Sequence, residues 1–90
     1  MIKIIYSDHF KRRVRKFVKK HPDLVQQYEK TIELLELNPH HPSLRLHKLT
    51  GKLSDLYSVY INITYRLSIE FLIQDEKIIP VDIGTHEEVY

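Results

Sequence analysis

The chain has 90 residues, 42% hydrophobic and 29% charged, with a net charge of +2 and no cysteine. That is a globular composition with room for one core, so residues 1–90 are expected to form a single domain. It excludes a disulfide framework and a thiolate metal site, and the apolar runs are too short to span a bilayer.

Ile2, Ile4 and Tyr6 alternate with Lys3 and Ile5, which predicts a short first strand rather than a signal peptide and makes the cytoplasm the expected location. Ser7 is placed to cap a helix, with Asp8 in its first turn. In that helix Phe10, Val14, Phe17 and Val18 form one apolar stripe. Between Lys11 and Lys20 stand seven basic residues and no acid, so the helix carries a basic face suited to a polyanion or an acidic partner. His21-Pro22-Asp23 breaks the helix and opens a second one, whose stripe is Leu24, Val25, Tyr28, Ile32 and Leu35 and whose stop is Asn38-Pro39. The short connection predicts a helical hairpin.

His40-His41-Pro42-Ser43 reads as loop and Gly51 as a tight turn after Leu46 to Leu49. The remainder alternates as strands. Tyr57, Val59, Ile61 and Ile63 share one face. Tyr65, Leu67, Ile69, Phe71 and Ile73 share the same face of the next strand, and Ile78 to Ile83 follow a turn at Gln74 to Lys77. Pro80 has no amide hydrogen to donate and needs an edge or a local gap in the ladder. The expected architecture is α+β in the order β-α-α-β-β-β: an antiparallel sheet with the helical hairpin packed on one face. The other face is expected to be open and to carry Tyr60, Arg66, Ser68 and Glu70. A one-residue slip in register would turn Arg66 into the core.

Histidine and tyrosine side chains can move protons near neutral pH or stack on bases. The chain ends Gly84-Thr85-His86-Glu87-Glu88-Val89-Tyr90, and upstream it carries Leu46-His47-Lys48-Leu49-Thr50-Gly51 and Tyr65-Arg66-Leu67. With the order of elements, these segments resemble the RelE/ParE superfamily of bacterial toxins, and within it the RelE and YafQ branches. The resemblance covers essentially the whole chain. It implies a ribosome-dependent, metal-independent messenger RNA endoribonuclease, in which a 2′-hydroxyl attacks the adjacent phosphate. It also implies a cognate antitoxin as partner, and DNA contact only through the complex with that antitoxin. By the resemblance His47, Arg66, His86 and Tyr90 fall on catalytic or substrate-placing positions.

The chemistry needs a base, an acid, a cation for the charged phosphorane, and a group that splays the nucleotides. His86 and His47 are read as the proton-transfer pair, Arg66 as the phosphate clamp, and Tyr90 as a stacking or positioning group. Lys48 and Lys52 are auxiliary cations, and Lys11, Arg12, Arg15, Lys16 and Lys19 are RNA-phosphate contacts. No cofactor is called for. The chain departs from the YafQ pattern at Tyr60 and Thr64, where that branch has a histidine and an aspartate. It departs again at Asp82, where the branch has an arginine. A ParE-like or catalytically decayed toxin that acts by protein binding, as a gyrase poison, without cutting RNA is the alternative reading. A metal module built on His40, His41 and His47 is a third, resting on no spaced ligand motif.

Overall fold

The architecture is seen in a computed structural model that describes residues 2–53 and 55–89. A short strand β1 (Lys3–Ile4) leads into helix α1 (Asp8–Lys20). The Ser7 hydroxyl accepts a 3.1 Å bond from the Phe10 amide, satisfying one of the helix's orphan donors. After Lys20 a 3₁₀ turn at Pro22–Leu24 carries the chain into α2 (Val25–Leu37). Strands β2 (His47–Lys48), β3 (Tyr57–Tyr60), β4 (Tyr65–Leu72) and β5 (Lys77–Thr85) follow, and a single turn of helix, α3 (His86–Val89), comes last.

The strands form one sheet in the order β1-β5-β4-β3-β2. All neighbours are antiparallel except β1 and β5, which run parallel. The sheet is therefore mixed rather than purely antiparallel. β1 reaches its partner only after both helices and three other strands have intervened, and local alternation carries no sign of such a pairing. β1 covers Lys77 and Ile78 alone. Pro80 thus lies where β5 has no outer strand, beside a bulge that skips Val81, and its missing donor is not needed there.

Leu67 pairs with Val59 and Ile83, and these residues join Phe10, Phe17, Ile32, Leu35 and Ile69 in the main core under the helices. Val14, Val18 and Tyr28 pack against that core as the helical stripes require. Leu49 and Val89 are buried outside it. By strand alternation Leu49 lies on the second face with His47 and Ser58. α3 packs on β4 and β5. The second face is consequently less open than its sequence suggests. Ser58, Ser68 and Arg66 are only 0%, 1% and 7% exposed, and Glu70 alone of the expected outward residues of β4 is exposed.

β3 also stops earlier than its alternation predicts, because Asn62 closes the hairpin. Its Oδ1 accepts from the amides of Thr64 (2.9 Å) and Tyr65 (2.8 Å), the Asx arrangement that competes with a ladder. Ile63 is then turned outward, 83% exposed, instead of entering the core.

Two phenols give the hairpin a pH dependence. Burial, then the neighbouring Tyr6, pushes the Tyr28 phenol well above its usual range; burial and Glu36 push Tyr6 upward too. An unfolded tyrosine ionises near pH ~10. Above that pH the unfolded state binds fewer protons than the folded one, so stability falls as pH rises through the window up to the folded value. The urea midpoint should drop between about pH 9 and about pH 11. Tyr28→Phe should flatten part of that drop, and an equally steep fall in the variant would show that Tyr28 does not contribute.

Candidate active site

Arg66 is fixed by the alternation of β4, with Leu67 and Ile69 facing the helices and Arg66 the other side. Its guanidinium stacks on Tyr60, its cross-strand neighbour, with Cζ 3.6 Å from the ring centroid. Nη1 donates to the carbonyls of Asn62 (2.7 Å), Ile63 (2.6 Å) and Tyr65 (3.3 Å). Arg66 therefore buttresses the turn and does not pair with Glu70. Its Nε is buried with no hydrogen-bond partner, a state that costs free energy unless an acceptor arrives. A second guanidinium, Arg45, lies 5.0 Å from the same ring. Arg45 adopts a left-handed backbone (φ 47°) and is a cation that the sequence reading did not single out.

The other expected site residues are distributed around this center. His47 pairs with Ser58 on the edge strand β2 and is exposed. Its Nδ1 lies 2.9 Å from the Arg45 carbonyl. A carbonyl can only accept, so Nδ1 carries the proton and the lone pair of the neutral ring is on Nε2. Gly84 stands opposite Arg66 on β5, and exposed His86 follows two residues later as the first residue of α3. β2 and β5 are separated by three strand spacings, roughly 14 Å. In sheet order Arg66, on β4, lies between β2 with His47 and β5, which leads into His86. Lys48 and Lys52 are exposed on the β2 side. Tyr90 lies outside the described residues.

The loop histidines are engaged separately. His41 Nδ1 accepts from the Ser43 amide at 3.2 Å, and the His40 ring is 6.1 Å from Phe71. Among the described residues no group of three or more histidine, cysteine, aspartate or glutamate side chains is placed to hold a metal.

Lys11, Arg12, Arg15, Lys16 and Lys19 are exposed along α1, as is Lys20. Arg13, which the sequence reading left out of the set of functional cations, behaves differently. Its Nε lies 2.7 Å from Asp82 Oδ1, and the same oxygen accepts from the Ile83 amide at 2.8 Å. The carboxylate at position 82 is thus matched by a cation from α1. At 38% and 25% side-chain exposure the pair adds little to stability; what it fixes is the direction of Arg13. Its periodicity offered one signal: Arg13, Lys16 and Lys20 recur at i, i+3 and i+7, one edge of the helix facing β5.

No protein-family model and no curated sequence matches the chain. Solved structures do. YafQ from Escherichia coli strain BL21(DE3) superposes with a TM-score of 0.80 at 18% identity, over 100% of this chain and 99% of that one. A metal-bound toxin from Helicobacter pylori gives 0.79 at 25% identity, over 100% of both chains. The E. coli DinJ–YafQ toxin–antitoxin complex gives 0.77 at 19% identity, over 99% of this chain and 97% of that one. No helix among the described residues is long and apolar enough to cross a membrane. From first strand to last helix, the chain has the fold of the RelE/ParE superfamily of toxins.

Proposed function

We propose that the chain is the toxin of a type II toxin–antitoxin pair, and that it cuts messenger RNA on the ribosome without a metal. The observation that carries the reading is Arg66, a buried guanidinium held over the Tyr60 ring with its Nε lacking an acceptor. A phosphate oxygen is the acceptor such a group suits best, and a fixed cation stabilises the charge that develops on a phosphorane. His47 and His86 stand on either side of Arg66 and supply the two proton transfers.

One histidine takes the proton of the 2′-hydroxyl as that oxygen bonds to phosphorus. The other gives a proton to the departing 5′-oxygen as its bond to phosphorus breaks. The products are a 2′,3′-cyclic phosphate and a 5′-hydroxyl end. Geometry favours His47 as the base, because its Nδ1 proton is committed to the Arg45 carbonyl and its lone pair is on Nε2; His86 is then the acid. Tyr90 is a stacking or positioning group, Lys48 and Lys52 contact flanking phosphates, and the exposed cations of α1 meet ribosomal RNA. The DinJ–YafQ complex supports an antitoxin as the partner that silences the chain.

Expressed alone in bacteria, the protein should stop growth by blocking translation, with messenger RNA cut and DNA replication initially spared. Pulse labelling of protein and DNA, with mapping of RNA ends, checks this. Replication stopping first over intact messenger RNA would replace the nuclease with a gyrase poison.

A further inference from the structure

We propose that the cleft between the C-terminal half of α1 and the end of β5 is a second contact site for single-stranded RNA. It takes a phosphodiester on Arg13, Lys16 and Lys20 and a base against the rings of His21 and Tyr65. The proposal rests on the RNA reading above and adds to it a site on the other side of the sheet.

The cleft measures about 510 Å³, within the roughly 300–1,000 Å³ of sites that hold small molecules, and enough for one nucleotide. Its cationic wall follows from helical spacing, since Arg13, Lys16 and Lys20 project from one edge of α1. Lys19 lines it as well, and among the described residues no carboxylate does. Lysines on a helix are ordinarily mobile and solvated. Arg13 is not, because Asp82 holds its Nε at 2.7 Å while Nη1 and Nη2 are outside that contact. The result is a guanidinium in a fixed orientation at the mouth of a basic cleft, the arrangement that recognises a phosphate by geometry as well as by charge.

The opposite wall is aromatic. α1 ends at His21, whose amide caps the Phe17 carbonyl, and whose ring lies 4.9 Å from Phe17 and 4.8 Å from Tyr65. Phe17 is buried, whereas His21 and Tyr65 are half-buried and line the cleft. Flat rings beside a cationic groove are the elements that bind single strands without reading sequence.

Continuity selects RNA over an acidic protein segment. Gly84 and Thr85 also line the cleft, and Gly84 is the ladder partner of Arg66. One polyanionic strand crossing the end of β5 therefore meets Arg66 on one side and Arg13 on the other.

The experiment uses the full chain, isotope-labelled, and a 2′-O-methyl RNA hexanucleotide, which lacks the attacking hydroxyl. Binding should shift the amide signals of His21 and Thr85 along with those of Tyr60 and Arg66. The double variant Lys16→Glu/Lys20→Glu alters exposed side chains, so its unfolding midpoint should match wild type. It should lose the His21 and Thr85 shifts, and its log affinity against log salt should flatten by about 0.7 per phosphate contact removed. Shifts confined to Tyr60 and Arg66, or an unchanged salt slope, overturn the second site and leave the nuclease reading standing. Shifts at neither place overturn the second site, while cleavage of ribosome-bound messenger RNA decides the nuclease reading separately. If a decaglutamate peptide shifts His21 and Thr85 while the RNA does not, the cleft is a protein site and the proposal fails.

Discussion

Replacing Arg66 by alanine is expected to lower the rate of messenger RNA cleavage by roughly 10²–10³, the usual cost of removing one fixed electrostatic stabiliser of a transition state. The same change removes three hydrogen bonds to the carbonyls that shape the β3–β4 turn. It should therefore also destabilise the fold by about 2–3 kcal/mol. The two effects need separating, and Arg66→Lys does so. A lysine keeps the charge and can still reach a carbonyl, so stability should largely return. It has no planar fork with which to brace the turn and face a phosphate together, so cleavage should return only in part. Single-turnover cleavage of ribosome-bound messenger RNA, corrected for the folded fraction of each variant, gives both numbers. An alanine variant cutting at the wild-type rate per folded molecule would mean that Arg66 only braces the turn, and a fully active lysine variant would mean that charge suffices without the planar fork. Tyr60→Leu bears on the same point, since it removes a cation–π contact of about 0.5–2 kcal/mol while leaving the guanidinium in place.

The layers of the molecule were legible from local pattern alone. Ser7 and the Phe10/Phe17 stripe announced α1, and the alternation of Leu67 and Ile69 against Arg66 and Ser68 set the register of β4. Pro80 signalled a gap in the ladder, and the gap is where β1 ends. What stayed hidden depends on long-range pairing. The parallel contact of β1 with β5 joins the two ends of the chain. The Arg13–Asp82 pair joins residues 69 apart, and neither side chain hints at the other. In sequence Asp82 stood only as a departure from the arginine of the YafQ pattern, whereas in the fold it orients the Arg13 guanidinium. Ile63 had the correct alternation for a strand and was overruled by one neighbour, Asn62, whose side chain offers the backbone a competing turn and is itself tied to α2 by a 3.2 Å bond to Gln27.

The candidate site shows the same division. The residue types and their approximate positions came from the ending Gly84-Thr85-His86 and from Tyr65-Arg66-Leu67, but the burial of Arg66 did not. A charged residue on an outward-facing strand position is normally solvated. Here Tyr60 covers it and the turn carbonyls absorb one amino group. The tautomer of His47 was likewise unreadable, because it follows from a contact of the folded chain, that of Nδ1 with the carbonyl of Arg45.

His86→Ala is expected to have the larger catalytic effect and the smaller structural one. Removal of a general acid costs ~10²–10⁴ in rate. His86 is exposed at the first position of α3, while the anchor of that helical turn is buried Val89. Truncating the imidazole opens no core cavity, so the unfolding midpoint should stay close to wild type. The assignment of His86 as acid and His47 as base makes a sharper demand. With a substrate whose 5′-leaving group is an activated phenol, no proton is needed on departure. The penalty of His86→Ala should then largely vanish, while His47→Ala should remain impaired, because the 2′-hydroxyl must still be deprotonated. The reverse pattern would exchange the two roles. If His86→Ala cuts ribosome-bound messenger RNA at the wild-type rate, the acid must come from elsewhere in the site. If it loses activity only in proportion to lost stability, His86 holds α3 in place and moves no proton.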